Sequence, residues 1–335
     1  MKIVITDDRF NRCYEEEKAV FSGAELIVSD CYTEAELIAA CSLADGILVN
    51  QAPMTRAVIE TLDRCKVISR YGIGYDNVDL RAAEEKGIWV TNVPGYCSEE
   101  VAEHALGLLL SCIRIIPEKD RAIREGRWNI NRPTRRMSGR VLGIVGFGET
   151  GKAFWEKIQG FSFSSILVSD PRGEAKLEEL RGKQKYPGTF FEKTRIVPFD
   201  ELLRLSDFIS LHVPLNDSTR HFINAKTIEQ MKEGVVIVNT SRGAVIEEIS
   251  LADALKSGRI ASAGLDVFEK EPLPPEHFLL SLSNTVLTDH SAYYSAESVS
   301  ELKTRTAKNA RLVLEGRIPQ TAVNKPAGVL SNTDG

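Results

Sequence analysis

The sequence predicts a parallel α/β protein of two domains, and three observations predict it. Short β-branched runs alternate with amphipathic stretches over most of the chain, the pattern of strands joined by crossover helices and buried on both sheet faces. Nine such runs are more than one tidy core holds. The length of 335 residues, with 43% hydrophobic and 27% charged side chains, also suits two globular domains of about 100–200 residues each.

In chain order the expected strands are Ile3-Val4-Ile5, Glu25-Leu26-Ile27-Val28, Ile47-Leu48-Val49, Val67-Ile68-Ser69 and Ile88-Trp89-Val90, then Val141-Leu142-Gly143-Ile144-Val145, Ile166-Leu167-Val168, Phe208-Ile209-Ser210-Leu211 and Val235-Val236-Ile237-Val238. A helix from Ser98 to Ile116 separates the first five from the rest. Ser98 is its expected N-cap, and Glu99 and Glu100 complement the dipole in its first turn. Residues 114–140 then carry eight arginines and one lysine against Glu118, Asp120 and Glu125. This segment reads as solvated surface or subunit contact, because the chain as a whole is acidic, net charge −5, and has no recognition-helix pattern.

Nucleic acid is therefore not an expected partner, and neither is a membrane. The longest greasy stretch, Val101 to Ile113, is interrupted by Glu103 and His104 and falls short of a span of roughly 20 residues. The start, Met1 to Asp8, reads as a first strand rather than a secretory signal, so a cytoplasmic protein is expected. Cys13, Cys31, Cys41, Cys65, Cys97 and Cys112 include no CxxC pair, and no histidine lies at ligand spacing from another, so reduced structural thiols and no metal are expected. The tail from Ser331 to Gly335 is expected to fray.

Gly146-Phe147-Gly148-Glu149-Thr150-Gly151 is a GxGxxG, weak alone and strong in its setting. It follows the strand 141–145 directly, opens a helical pattern over Lys152 to Ile158, and precedes a strand that ends in Asp170, 24 residues past the first glycine. Gly146 permits the tight turn, Gly148 lets backbone approach a pyrophosphate, and Gly151 lets helix and strand pack closely, with the helix N-terminus facing the phosphates. Asp170 would accept hydrogen bonds from the adenosine ribose and repel a 2′-phosphate, so NAD is predicted over NADP. Arg172, beyond Pro171, is a nearby guanidinium able to accommodate that phosphate.

Three further segments end strands at the edge where doubly wound sheets bind ligands. Val238-Asn239-Thr240-Ser241-Arg242-Gly243 delivers an arginine. Gly264-Leu265-Asp266-Val267-Phe268-Glu269-Lys270-Glu271-Pro272 delivers carboxylates, and Thr288-Asp289-His290-Ser291-Ala292 delivers a histidine. Together they suit ketone reduction beside a nicotinamide: a guanidinium to hold a carboxylate and polarise a carbonyl, an imidazolium to protonate its oxygen, and a carboxylate to support that imidazolium.

With Arg70-Tyr71-Gly72-Ile73-Gly74-Tyr75-Asp76-Asn77-Val78-Asp79, Asn92-Val93-Pro94-Gly95, Val101-Ala102-Glu103-His104 and Leu211-His212-Val213-Pro214-Leu215, these motifs make nearly the whole chain resemble the NAD-dependent D-2-hydroxyacid dehydrogenases. The resemblance implies two Rossmann-like or flavodoxin-like domains. An NAD-binding domain, 100–293, is inserted into a substrate-binding domain, 1–99 and 294–335, with the active site in the cleft between. It implies Arg242, Glu271 and His290 as the catalytic triad. Amides of Gly72, Ile73 and Gly74 would hold the substrate carboxylate, with Arg70 facing the substrate, and Tyr293, like Tyr294, either a wall of the substrate pocket or a packing residue. Gly146 to Gly151, Asp170, Pro171, Arg172, His212, Val213, Pro214, Thr240, Ser241, Arg242, Asp266 and His290 would meet NAD. A homodimer through the NAD-binding domain, using 100–140, follows from the same likeness. The implied reaction is hydride transfer from NADH to a 2-keto acid, with His290 donating the proton, or the reverse.

Within the family, Arg70, the run His290 to Ser295 and the run Arg305 to Pro319 look like the branch containing the C-terminal binding protein corepressors, which leaves an NAD(H)-sensing scaffold as the alternative. Tyr293 replaces the tryptophan of that branch. Glu149 stands where an arginine is common, and its side chain is expected to turn to solvent. The 335 residues hold no regulatory extension of the kind found in many phosphoglycerate dehydrogenases, so a feedback-controlled enzyme of that kind is less expected. His212 reads as a hydrogen-bonded structural histidine, although the family places its segment over the cofactor. His104, His221 and His277 have no partner pattern, and Asp266 is expected to make a cofactor-side polar contact. Cys97 reads as a structural thiol.

Overall fold

The apolar runs pair into two sheets, each wholly parallel. The computed structural model describes residues 1–8, 10, 12–129, 131–183, 186 and 188–326, so the expected frayed tail lies outside the described residues. Two compact units divide the chain, 1–96 with 295 onward, and 97–294.

The first unit holds β1 (Lys2–Ile5), β2 (Glu25–Val28), β3 (Gly46–Val49), β4 (Val67–Arg70) and β5 (Trp89–Thr91), in the order β2-β1-β3-β4-β5. β3 is buried along its whole length, as a central strand covered on both faces requires. One face packs Val4, Leu37, Ile47, Ile59, Ile68 and Val90 into a core. The helix Ala296–Leu314 returns to this unit and packs on β3, β4 and β5. Its start is set by a capping box between Ser295 and Ser298. Ser69 Oγ donates to the Thr306 carbonyl at 2.9 Å, and Asn324 bonds β5 through Val90 N and the Ile88 carbonyl.

The second unit holds β6 (Val141–Val145), β7 (Ser165–Ser169), β8 (Thr194–Ile196), β9 (Phe208–Leu211), β10 (Val235–Asn239), β11 (Ile260–Leu265) and β12 (Thr285–Leu287), in the order β12-β11-β10-β9-β6-β7-β8. Alternate residues feed cores on opposite faces. Leu142, Ile144 and Ile166 join Phe154, Trp155 and Phe163, whereas Val145 and Leu167 join Ile237 and Leu251. β6 lies between β7 and β9, so the strand order reverses there, and the ends of β6 and β9 flank the topological switch point where α/β sheets bind ligands.

Two expectations are corrected. The helix that opens at Ser98 is capped by Cys97, with no side-chain cap bond; Ser98 has already entered the helix, and its hydroxyl is buried without a hydrogen-bond partner among the described residues. That helix ends at Arg114 rather than Ile116. Ile115 turns left-handed at φ 50°, and a separate helix runs Ile116–Arg124. Pro117 explains the break, since continuing would press its ring on the Ile113 carbonyl with no N–H to offer. β8 was not among the expected strands. It is a three-residue edge strand with Arg195 at its centre, too short and polar to stand out as an apolar run. In the basic segment, Arg124 pairs with Asp120, Arg132 with Glu118 and Arg140 with Asp207.

Candidate active site

At the end of β6, Gly146 takes φ 89°, a conformation that favours glycine, and a β-carbon there would lie 2.4 Å from the His212 carbonyl oxygen. A β-carbon on Gly151 would lie 2.2 Å from the Gly146 carbonyl oxygen, whereas one on Gly148 meets nothing within 4 Å. The first and third glycines therefore serve close packing, and the second leaves open space. The helix Glu149–Lys157 starts on extended Gly148 without a side-chain cap, so its N-terminal N–H groups open at the carboxyl edge of the sheet. Phe147 is fully buried, its ring edge-on to Trp155; only its backbone N–H addresses the loop, donating to Asp170 Oδ2 at 2.8 Å. Glu149 is exposed and pairs with Lys152.

Asp170 ends β7. Burial alone would raise its pKa, but Lys176 Nζ at 2.8 Å and the backbone N–H groups of Phe147 and Arg172 hold it below the ordinary value. Pro171 and Arg172 are exposed beside it. Lys176 has no place in the sequence expectation. At the end of β9, His212 Nε2 bonds Ser210 Oγ at 2.8 Å, its ring lies against Phe154, and its imidazole pKa is pushed down to about 3 by burial. Val213 packs on the core below. Thr240 Oγ1 and His212 Nδ1 are buried without a hydrogen-bond partner among the described residues, on segments that follow the adjacent strands β10 and β9. An open second glycine, uncapped helix amides, an acid at the next strand end and two orphaned polar atoms fit a dinucleotide.

The three strand-end segments expected to carry chemistry belong to one unit and are tied together. Asn239 shapes the arginine loop: its Oδ1 accepts from Ser241 N and Oγ, and its Nδ2 donates to the Arg242 carbonyl at 2.9 Å. Arg242 Nη1 donates to the Ser241 carbonyl at 2.8 Å. Gly243 then touches the next segment, since a β-carbon on it would meet the Phe268 carbonyl carbon at 1.8 Å. In that segment Phe268 N donates to Glu271 Oε1 at 2.9 Å, and the Glu271-Pro272 peptide is cis. Glu271 Oε2 lies 2.6 Å from His290 Nδ1. Burial pushes the Glu271 carboxyl up, but the bond to and charge of His290, with smaller contributions from Phe268 N and Arg242, leave it below its ordinary value. Tyr293 stands edge-on to the His290 ring at 6.5 Å.

Asp266 is buried at 1% exposure and anchors the histidine loop. Its carboxylate accepts from Thr288 Oγ1 at 2.6 Å and from Ser291 N and Ala292 N at 3.0 Å, while its carbonyl accepts from His290 N at 2.8 Å. The expected cofactor-side contact is thus preceded by a structural duty. His104, which shows no partner pattern in the sequence, takes a structural place: its Nε2 lies 2.9 Å from Thr288 Oγ1. Because that hydroxyl gives its proton to Asp266, His104 Nε2 is the donor. His221 and His277 also find carboxylates, Glu269 at 3.3 Å and Glu248 at 3.2 Å. Glu248 and Glu269 exchange bonds, each backbone N–H donating to the other's carboxylate, and so fasten the Glu271 segment to the helix Glu248–Ser257.

In the first unit, Gly72 takes φ 141° after β4, and a β-carbon on it would lie 1.4 Å from Arg70 Nη1. Arg70 Nη1 donates to the Tyr71 carbonyl at 2.6 Å. The Gly72 carbonyl accepts from Val93 N and the Ile73 carbonyl from Asn92 Nδ2 at 2.7 Å, which fixes the turn through Gly74.

The D-isomer specific 2-hydroxyacid dehydrogenase NAD binding domain matches residues 106–292, more than half of the chain. The chain belongs to the D-isomer specific 2-hydroxyacid dehydrogenases. It is 39% identical over 278 residues to a glyoxylate reductase of Korarchaeum cryptofilum, covering 82% of this chain and 80% of that one. It is 35% identical over 328 residues to a D-3-phosphoglycerate dehydrogenase of Methanocaldococcus jannaschii, covering 97% of this chain but only 60% of the relative. The crystal structure of a glyoxylate reductase from Paecilomyes thermophila superposes with a TM-score of 0.82 at 31% identity, covering 96% of this chain and 98% of that one. As a member of this family the chain is an oxidoreductase of 2-hydroxyacids that binds NAD. Among its described residues no helix is long and apolar enough to cross a membrane.

Proposed function

We propose that this dehydrogenase reduces a small 2-keto acid, of the glyoxylate or hydroxypyruvate kind, to the D-2-hydroxyacid, or runs the reverse reaction. The observation that carries the reading is the 2.6 Å bond between His290 Nδ1 and Glu271 Oε2, on a segment that Gly243 ties to the Arg242 loop. Glu271 orients the imidazole and holds its Nδ1 proton, which leaves Nε2 to give a proton to the carbonyl oxygen. Arg242 holds the substrate carboxylate and polarises the carbonyl, with the amides of Gly72, Ile73 and Gly74 and the side chains of Arg70 and Tyr293 as further substrate contacts. The bound nicotinamide supplies the hydride. Gly146 to Gly151 hold its pyrophosphate, Asp170 the adenosine ribose, and the segments 212–214 and 240–242 with Asp266 and His290 the nicotinamide side.

In this reading 100–293 is the NAD-binding domain, and 1–99 with 294–335 is the substrate-binding domain. The buried thiols of Cys31, Cys41, Cys65 and Cys112, none of them in a disulfide, support a reducing, cytoplasmic setting. Exposed Ile116, Ile123 and Trp128 in the segment 100–140 support a homodimer through the NAD-binding domain.

The test is loss of reduced-nicotinamide absorbance with glyoxylate, hydroxypyruvate, pyruvate, phosphohydroxypyruvate and bulkier 2-keto acids. Turnover of about 1 s⁻¹ or more on at least one supports the enzyme; slower turnover on all of them, well under the usual enzyme median, favours the NAD(H)-sensing scaffold.

A further inference from the structure

We propose that Lys176 opens this site to NADPH as well as NADH, by presenting Asp170 to the adenosine ribose as half of an ion pair rather than as a lone anion. The proposal rests on the assignment of Asp170 to the ribose. A lone carboxylate at this strand end rejects a 2′-phosphate by like-charge repulsion at short range. Here the carboxylate is already met. Lys176 Nζ lies 2.8 Å from Asp170 Oδ2, and both side chains are sheltered, 18% and 10% exposed. Water therefore screens the pair less than it would on an open surface.

The geometry keeps the ammonium in place. Gly173, the first residue of the helix Gly173–Gly182, packs so closely that a β-carbon on it would lie 2.9 Å from the Ile196 side chain on β8. The helix start is thus seated on the sheet, and its first turns carry Lys176 back over Asp170. Phe147 N and Arg172 N fix the carboxylate itself. With Asp170 neutralised by Lys176 and the exposed guanidinium of Arg172 beside it, the positive charges outnumber the negative at the position a 2′-phosphate would take. Lys176 then has two uses: it shares Asp170 when the ribose carries a hydroxyl, and turns to the phosphate when it carries one. Such charge-assisted bonds to phosphate are the strong class.

The experiment measures dissociation constants of NADH and NADPH by the fluorescence of the bound reduced nicotinamide, without keto acid, so that no catalytic step enters. The full-length protein is expected to bind NADPH within about tenfold of NADH. Lys176→Met, which keeps the aliphatic stem and removes the charge, is expected to raise the ratio of the NADPH to the NADH constant by roughly 10-fold or more, the order for one hydrogen bond to a charged group. Lys176→Arg should hold the ratio near its original value. Asp170→Asn should shift it towards NADPH, and added salt should weaken NADPH binding more than NADH binding. A pair that merely staples the helix to the sheet would lower the melting temperature in Lys176→Met and leave the ratio alone. A ratio within twofold of the original in that variant overturns the proposal, as does a full-length protein that binds NADH but no NADPH. Binding of neither dinucleotide overturns the Asp170 assignment along with it.

Discussion

A β-carbon on Gly243 would sit 1.8 Å from the carbonyl carbon of Phe268 and 2.0 Å from its oxygen, so the two backbones are in direct contact. Gly243 follows the arginine, and Phe268 donates its N–H to Glu271. The contact therefore sets the spacing between the Arg242 loop and the segment that carries the glutamate. Gly243→Ala is expected to push these apart, lowering kcat/KM by roughly 10²-fold, the order for a misplacement of about 1 Å. Overpacking should also cost about 2 kcal/mol of stability. Steady-state kinetics with urea unfolding checks both, and a fully active alanine variant would contradict the contact.

Asp266 gathers Thr288, Ser291 and Ala292 around a buried carboxylate just below His290. Asp266→Asn replaces one acceptor by an NH2 that faces existing donors. The expected cost is about 2 kcal/mol, that of leaving a buried polar group unsatisfied, together with a lower kcat as the histidine loop loosens. Thermal melting and initial rates measure the two effects, and a variant near wild type in both would show that the loop is held elsewhere.

His212 provides a pH signature. Its folded pKa, near 3, lies below the ordinary histidine value of about 6.5 that the unfolded chain adopts. The unfolded state binds the extra proton between those values, so its contribution to stability is complete above about pH 6.5 and declines as pH falls towards 3. His212→Gln should flatten urea-unfolding stability against pH between 7 and 5, by up to about 1.4 kcal/mol per pH unit. Parallel slopes in the two proteins would remove this imidazole as the source.

Tyr71 directly precedes Gly72, and its hydroxyl donates to Glu17 Oε1 at 2.7 Å in the first unit's interior. Burial raises both groups above their ordinary pKa values, and Glu17 Oε2 has no hydrogen-bond partner among the described residues. Tyr71→Phe removes the hydroxyl that donates to that carboxyl and should cost about 2 kcal/mol. It should also raise KM for the keto acid more than it lowers kcat, because it loosens the turn through Gly72. Unchanged stability would show that another group takes over the hydrogen bond.

Much of this was legible beforehand because it is local. β-branched runs announced most of the strands, and the glycine spacing between β6 and the acid at the end of β7 is a short-range signature. β8 escaped because Thr194-Arg195-Ile196 is an edge strand with only one buried face to pattern. The helix expected to run to Ile116, just before Pro117, ends in the structure two residues earlier, at Arg114, because Ile115 turns left-handed. The site's supports were less readable. His104 meets Thr288 across 184 positions, and Glu248 meets the Glu269 backbone across 21, contacts that only the folded sheet brings about. Lys176 lies six residues past Asp170, and only the seated helix brings its ammonium to that carboxylate.

The central claim is that His290, held by Glu271, moves the proton in keto-acid reduction. Single-turnover reduction by NADH-loaded protein, on whichever keto acid wild type reduces fastest, tests it with His290→Asn beside wild type. The account predicts a rate lower by roughly 10²–10⁴-fold, the range for a positioned acid–base group. A rate within about threefold of wild type, well inside that range's lower bound, would contradict it.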